Sequence, residues 1–246
     1  MKKAFISFVL TALIAGGGYC AYRYYQSDVL PEKQLDEAYN EQAELFERVK
    51  PEIPQSDEKN ADLLKEAEDV NDSVAAWLTI PDTHIDYPIC QADDNDFYLH
   101  NGFDGQYNYE LGCPFLDYRC ESDFSGFNSI VYAHHMTEQR MFADVSLFKD
   151  ENYLNTHDTG QLILNDEVHT VRFFAYLNTY PTAPVYHAVF VTDNDKLEYL
   201  EYIEENADHC RLSADEVAVD DLRLLLLSTC TYEFNDARGI LVGVIE

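Results

Sequence analysis

A cysteine and an arginine near the C-terminus lie at the ends of two apolar runs. Cys230 closes the run that begins at Leu224, and Arg238 comes just before the run from 240 to 245. An unbroken apolar run predicts a strand buried on both faces. If the two strands pair as a hairpin, Cys230 and Arg238 lie at the same end of the sheet, where the strand holds the thiol and the loop leaves it accessible. Each residue alone also fits a structural role, as a buried thiol or a surface charge.

Two histidines follow a third apolar run and could complete a catalytic set. The run from Ser129 to Tyr132 leads through Ala133 to His134 and His135. A cysteine thiol with a pKa of about 8.5 is mostly protonated at neutral pH, so a nucleophilic cysteine needs a nearby base or cation. A histidine positioned by a second strand can supply that base and later donate a proton to a leaving amine. The residues alone indicate a candidate Cys–His enzyme, and a structural histidine is the alternative.

The elements that would position these residues are short strands. From Trp77 onward the chain alternates between short apolar runs and turns rich in Gly, Pro, Asn and Asp, which predicts a closed or nearly closed β-architecture. One exception is a helix over 194–207, with Thr192 or Asp193 as its N-cap. The predicted strands cover 76–80, 85–89, 114–116, 129–132, 161–164, 170–176, 222–227 and 240–245.

The N-terminal segment has the features of a membrane anchor. Lys2 and Lys3 precede an uncharged run over 4–22 that stops at Arg23. About nineteen helical residues at 1.5 Å each nearly cross a hydrocarbon core of about 30 Å. The glycines at 16–18 lead into bulky residues and not into an A-x-A site, which favours an uncleaved anchor over a signal peptide. The charge bias predicts a single-pass cell-membrane protein with a cytoplasmic N-terminus and an extracellular catalytic domain.

A polar, helix-prone region separates this segment from the strands. One helix is expected from Pro31 to just before Pro51, and a second, short helix over about 60–68. We expect these helices to pack on the catalytic domain, with a loosely ordered stalk as the alternative. The predicted organisation is a membrane anchor over 1–25, a helical spacer over 26–72 and a catalytic domain over 73–246.

Charge excludes one class of partner. The chain has 46 acidic residues against 16 lysines and arginines, for a formal net charge of −30. Such a field repels nucleic acid, so we expect no nucleic-acid partner. The same acidity also fits a solvated surface that aids solubility, and says little about the substrate.

The six cysteines leave the disulfide state open. Cys20 lies in the predicted anchor and Cys230 is the candidate nucleophile. In an exported protein the others could form disulfides or stay as buried thiols, and spacing alone does not decide. No Cys/His cluster has zinc-ligand spacing. The four remaining cysteines are Cys90, Cys113, Cys120 and Cys210.

Several ordered sequence blocks resemble the class B sortases. Ser228-Thr-Cys230 followed by Arg238 is similar to the sortase signature in which S-T-C or T-x-T-C precedes an arginine. Y-A-H-H-M at 132–136, followed by M-F-A-D at 141–144, resembles the class B pattern Y-G-H-H-M and M-F-G-D. Other similar blocks are A-W-L-T-I-P at 76–81, I-D-Y-P at 85–88, D-N-D-F-Y-L at 94–99 and P-F-L-D-Y-R at 114–119. The resemblance runs from about residue 72 to the C-terminus.

The resemblance implies a role for each of three residues. Cys230 is the expected nucleophile, which attacks a peptide carbonyl and forms a thioester acyl-enzyme. His134 is the expected general acid and base, with His135 as a neighbour that is not essential. Arg238 is expected to orient the substrate and stabilise the developing oxyanion. Neither a cofactor nor a metal ion is expected.

The resemblance also implies a fold and partners. The expected fold is mostly β, an eight-stranded sortase-like barrel with N-terminal helices and one late inserted helix. The expected substrates are secreted proteins that bear a C-terminal sorting signal, and the expected acceptor is an amine of the peptidoglycan cross-bridge or a pilin lysine. Two departures from the family pattern, Ala133 for glycine and Cys113 for serine, keep every catalytic group.

The sequence argues against three alternatives. An L,D-transpeptidase would carry an S-H-G-C-type motif, which is absent. In a papain-like Cys–His peptidase the cysteine precedes the histidine, whereas here His134 precedes Cys230. A membrane-tethered, non-enzymatic binding module with Cys230 as a core thiol leaves the joint occurrence of the three blocks unexplained.

Overall fold

Eight strands close into a mixed barrel in the computed structural model, which describes residues 17–53, 62–108, 111–214 and 218–246. Around the ring the order is β5-β1-β2-β3-β4-β8-β9-β6, and β5 pairs with β6 to close it. β7 adds two residues to β6 outside the ring. The expected eight-stranded barrel is therefore confirmed. The strands are β1 (Val74–Thr79), β2 (Asp86–Cys90), β3 (Phe115–Leu116), β4 (Asn128–Tyr132), β5 (Thr159–Ile163), β6 (Val168–Thr179), β7 (His209–Cys210), β8 (Leu224–Cys230) and β9 (Arg238–Ile245).

The helices lie before and between the strands. The late helix is confirmed as α5, and Thr192 is its N-cap: its hydroxyl accepts a hydrogen bond from the backbone N–H of Asp195. The second N-terminal helix is shorter than predicted, and residues 60 and 61 lie outside the described residues. The helices are α1 (Leu30–Val49), α2 (Lys65–Glu68), α3 (Phe97–His100), α4 (Glu151–Thr156) and α5 (Asp193–Asn206), with 3-10 turns at Thr137–Gln139, Ala143–Lys149 and Pro184–Tyr186.

The centre of the barrel brings three strand ends to one edge. Leu224–Leu227 of β8 are fully buried, which accounts for the unbroken apolar run. β4 runs parallel to β8, with Tyr132 opposite Ser228. β9 runs antiparallel to β8, with Arg238 opposite Cys230. The segments that follow β4 and β8 and the start of β9 therefore meet at one end of the sheet.

Helix α1 packs on the barrel. The ring of Phe46 makes edge contacts with Trp77, Tyr87 and Phe103, at centroid distances of 6.1, 5.8 and 5.8 Å. Gln42, the one polar residue on the stripe of apolar residues that recur at helical intervals along this helix, is buried as well. Its amide nitrogen donates to the Gly112 carbonyl at 3.0 Å, and its amide oxygen accepts from the Phe103 N–H at 3.1 Å. The division of the chain at residues 25 and 72 stays a prediction.

The predicted single-pass membrane placement is contradicted. Among the residues that the structure describes, no helix combines the length and the apolar character needed to cross a bilayer. α1 is long, but it carries charged side chains such as Glu32, Asp36 and Arg48. Residues 4–16 of the predicted anchor lie outside the described residues. The same finding contradicts the expectation that an N-terminal helix contacts the membrane.

All six cysteines are free thiols. Cys113 lies beside Cys90, with the two sulfur atoms 4.0 Å apart, and not beside its sequence neighbour Cys120. Burial raises the pKa of the Cys113 thiol well above its usual value. The Cys120 thiol donates to the Asn128 carbonyl at 3.3 Å.

Candidate active site

The three residues singled out in the sequence line one open cleft. Cys230, His134 and Arg238 share a cleft of about 570 Å³ at the end of the sheet where β4 and β8 finish and β9 begins. The hairpin expected from the two apolar runs is present, since Cys230 and Arg238 are register partners. The strand ends thus bring together groups that are far apart in the sequence.

Hydrogen bonds tie the cysteine strand to the histidine strand at the cleft. The Ala133 N–H donates to the Ser228 carbonyl at 3.2 Å, and the Thr229 hydroxyl donates to the Ala133 carbonyl at 3.0 Å. Ser228 and Thr229 are buried, while Cys230 itself is partly accessible. The rigid strand therefore holds the thiol and the next residues leave it open to a substrate.

The imidazole of His134 has one defined partner. Its Nε2 atom lies 2.7 Å from the Leu99 carbonyl oxygen. A carbonyl can only accept a hydrogen bond, so Nε2 carries the proton and, in the neutral ring, Nδ1 has the free lone pair. Gly112, at φ +65°, lies close to the ring, because a Cβ added there would be 3.2 Å from His134 Cδ2. The Leu99 carbonyl therefore fixes the tautomer of the ring, and the glycine at position 112 leaves room for it.

His135 is turned away from the cleft. It forms an isolated bridge with Met141, and its ring makes an edge contact with Tyr232 at 5.4 Å. It is not among the described residues that line the cleft. Burial lowers the pKa of His135, which favours a neutral ring. The geometry thus separates two histidines that are adjacent in the sequence.

Arg238 is anchored without losing its charge to a carboxylate. Its Nη1 donates to the carbonyl oxygens of Asp236 and Ala237, both at 3.1 Å. Glu233, the other acidic residue of the loop, is paired with Lys149. Among the described residues no carboxylate lies within ion-pair distance of Arg238, so its charge is available to a ligand.

A polar network in the cleft wall was not predicted from the sequence. Asp117 lies within P-F-L-D-Y-R, and its carboxylate accepts hydrogen bonds from Arg119, Asn95 and the Tyr132 hydroxyl. The Tyr132 ring stacks on Tyr186 at a centroid distance of 6.1 Å. A wholly buried aspartate two residues before an arginine is unusual, but its burial cannot be read from the sequence.

The cleft lining carries two arginines and no carboxylate among the described residues, in a strongly acidic protein. The arginines are Arg119 and Arg238, and His134 lines the cleft with them. The whole chain carries 46 acidic residues. Apolar side chains such as Leu99 and Phe115 complete the wall. This lining suits an uncharged or acceptor-rich peptide. No group of three or more potential metal-binding side chains occurs among the residues described.

Known proteins share this architecture, although no family model matches the chain. Sortase B of Listeria monocytogenes serovar 1/2a is 33% identical over 181 residues, which are 74% of this chain and 72% of that protein. The crystal structure of Clostridium perfringens sortase B has 28% identity and a TM-score of 0.68, over 74% of this chain and 98% of that one. A Streptococcus pyogenes class B sortase involved in pilus biogenesis has 30% identity and a TM-score of 0.66, over 74% and 97% of the two chains. The chain therefore belongs to the class B sortases and is a sortase cysteine transpeptidase.

Proposed function

We propose that this transpeptidase cleaves the C-terminal sorting signal of secreted proteins and joins the new C-terminus to an amine. The acceptor is an amine of the peptidoglycan cross-bridge or a pilin lysine. The observation that supports this proposal is the register that places Cys230 opposite Arg238, in the same cleft as His134.

The first half-reaction forms a thioester. The Cys230 thiol gives its proton to Nδ1 of His134, and Sγ attacks the scissile carbonyl carbon. As the tetrahedral intermediate collapses, the C–N bond breaks and the leaving amine takes the proton from His134. The acyl group remains on Cys230. The hydrogen bond from His134 Nε2 to Leu99 keeps Nδ1 as the atom that moves the proton.

The second half-reaction reverses the roles. The acceptor amine attacks the thioester carbonyl, its proton passes to His134, and the Cys230 sulfur leaves as the new amide bond forms. The sulfur then recovers its proton from the imidazole. In both steps negative charge develops on the carbonyl oxygen, and Arg238, which has no carboxylate partner among the described residues, stabilises it.

The proposal is tested with a peptide library and the full chain. Library peptides are incubated with enzyme, with and without an oligoglycine or a lysine-containing pilin peptide as acceptor. We expect a peptide–acceptor amide that appears only with an amine and is absent with Cys230→Ala. The two acceptors separate wall anchoring from pilin polymerisation. Hydrolysis alone, unchanged by any amine, would instead support a Cys–His peptidase.

A further inference from the structure

Arg119 is the second arginine of the cleft, and a buried carboxylate holds it in a fixed orientation. Asp117 is 0% exposed. Its two carboxylate oxygens accept hydrogen bonds from Arg119 Nε at 2.8 Å and Nη2 at 2.6 Å, and one also accepts from the Arg119 N–H at 3.0 Å. Two parallel hydrogen bonds fix the plane of a guanidinium as well as its position.

The same carboxylate organises the wall around Arg119. It also accepts from Asn95 Nδ2 and from the Tyr132 hydroxyl, both at 3.0 Å. Burial alone would raise the pKa of Asp117, but the hydrogen bonds from Arg119, Asn95 and Tyr132 outweigh it and lower the pKa. The Asp117 carboxylate is therefore charged at neutral pH, and its contacts within the protein leave it little capacity to bind a ligand.

The guanidinium of Arg119 has an N–H donor that its contacts with the described residues do not use. Besides Asp117, its Nη2 donates to the Tyr186 carbonyl at 3.3 Å. Its Nη1 has no hydrogen-bond partner among the described residues, and the side chain is 38% exposed. Asn95, Tyr132 and Tyr186, which share this network, all line the cleft with it. A positioned donor thus lies in the wall of the cleft that contains Cys230 and His134.

The surroundings indicate what this donor binds. Asp117 occupies the Nε–Nη2 edge of the guanidinium, so Nη1 is the donor left for a ligand. A guanidinium N–H matches carboxylate and carboxamide oxygens, and the described cleft lining offers no acidic side chain that could compete for Nη1. The wall around Arg119 is largely apolar. A substrate that offers no acceptor to the arginine would leave a polar group without a hydrogen bond there, at a cost in free energy, and this cost makes the contact selective.

We propose that Arg119 is a specificity-determining residue that binds a side-chain carboxylate or carboxamide of the peptide substrate, and that Asp117 is its positioning residue. This inference rests on the proposed function, because its ligand is the sorting-signal peptide. It adds a polar substrate contact in the wall of the cleft to the charge stabilisation assigned to Arg238.

The experiment measures selectivity on the full chain. Peptides cleaved by the wild type are varied one position at a time with Asp, Asn and Leu, which have similar sizes. At one position the wild type is expected to prefer Asp or Asn over Leu by about tenfold or more in kcat/KM. Comparison of kcat/KM for the Asp and Asn peptides shows whether the carboxylate or the carboxamide is the preferred acceptor. Equal rates for Asp, Asn and Leu at every position would overturn the inference.

Variants then assign the preference to Arg119. Arg119→Lys keeps a cation for Asp117 but loses the fork. It is expected to raise KM about tenfold with kcat within about threefold, and to abolish the preference. Asp117→Asn is also expected to raise KM, because the Arg119 guanidinium loses the carboxylate that orients it. The matched control is Arg172→Gln, which removes one positive charge from an exposed ion pair with Glu246 outside the cleft and should change neither parameter.

A folding control keeps the test decisive. If Arg119→Lys does not fold, the double variant Asp117→Asn/Arg119→Gln, which leaves no unpaired buried charge, takes its place. A folded variant with wild-type selectivity at every position would show that Arg119 does not determine substrate specificity. If the wild type cleaves no library peptide at all, the proposed function fails, and this inference fails with it.

Discussion

The Nε2 atom of His134 lies 2.7 Å from the carbonyl oxygen of Leu99, which belongs to helix α3 and precedes it by 35 residues in the sequence. This contact assigns the proton of the neutral imidazole to Nε2 and leaves Nδ1 for catalysis. His135, one residue further, contacts Tyr232 and Met141 instead. The two adjacent histidines therefore lie in different surroundings, and only His134 lines the cleft.

The two histidines should respond very differently to alanine substitution. His134→Ala removes the proton carrier, so acyl-enzyme formation should fall on the order of 10²–10⁴-fold. His135→Ala serves as the matched control and should retain most activity, because its ring is outside the cleft. Single-turnover kinetics with a cleavable peptide measure both. A larger loss for His135→Ala would show that the assignment is shifted by one residue.

Substitution of Arg238 by lysine distinguishes a role that needs oriented hydrogen-bond donors from a role that needs only positive charge. If it stabilises the oxyanion through oriented N–H donors, Arg238→Lys should lose about 10²-fold or more in acyl-enzyme formation with an intact fold. If the residue only balances charge near Glu233 and Asp236, the lysine variant should be nearly silent. Arg238→Ala gives the full loss for comparison, and circular dichroism checks folding.

Gly112 should be required for the position of His134. Its φ is +65°, and an added Cβ would lie 2.7 Å from the Tyr98 carbonyl and 2.9 Å from the Leu99 carbonyl. Gly112→Ala should therefore destabilise the fold by roughly 1–3 kcal/mol and reduce the rate about tenfold or more by displacing the imidazole.

Gly105 provides a matched control for this substitution. Its φ is +76°, but nothing lies within 4 Å of the added Cβ. Gly105→Ala should show backbone strain in thermal unfolding with nearly unchanged kinetics. Equal loss of activity in both variants would mean that strain in the backbone, and not the contact with His134, controls the rate.

Thiol reactivity should distinguish Cys230 from the core cysteines. Cys230 is partly accessible and has no disulfide, so iodoacetamide should modify it in the native protein and abolish activity. Cys90 and Cys113 are buried and should react only after unfolding. Mass spectrometry after alkylation without reductant measures all three. A bridged Cys230 in active enzyme would contradict the mechanism.

The sequence predicted the strand ends of the site because their signals are local. Apolar runs marked β8 and much of β9, and this was enough to place Cys230 and Arg238 at one end of a hairpin. Boundaries were less accurate: Arg238 lies within β9, which begins two residues before the apolar run over 240–245. The expectation of an eight-stranded barrel came from the resemblance to class B sortases, and the order of its strands was not predicted, since strand pairing is a long-range property.

The cleft wall could not be predicted, because its contacts cross the sequence. Asp117 meets Asn95 and Tyr132 only after three separate segments have folded together. The same is true of Gln42, which the sequence shows only as a polar break in an apolar stripe. Its partners, Phe103 and Gly112, are 61 and 70 residues away.

The hydrogen bond from Gln42 to Gly112 connects helix α1 to the surroundings of His134, the proposed catalytic histidine. Gln42 holds the glycine that lies close to the His134 ring, and Phe46, one turn further along the helix, fixes α1 to the barrel through its aromatic contacts. A shortened chain that begins at residue 73 would keep every strand and every proposed catalytic side chain. It would nevertheless lose the support of the loop close to the imidazole. We therefore expect the smallest unit that reaches the full rate to include α1.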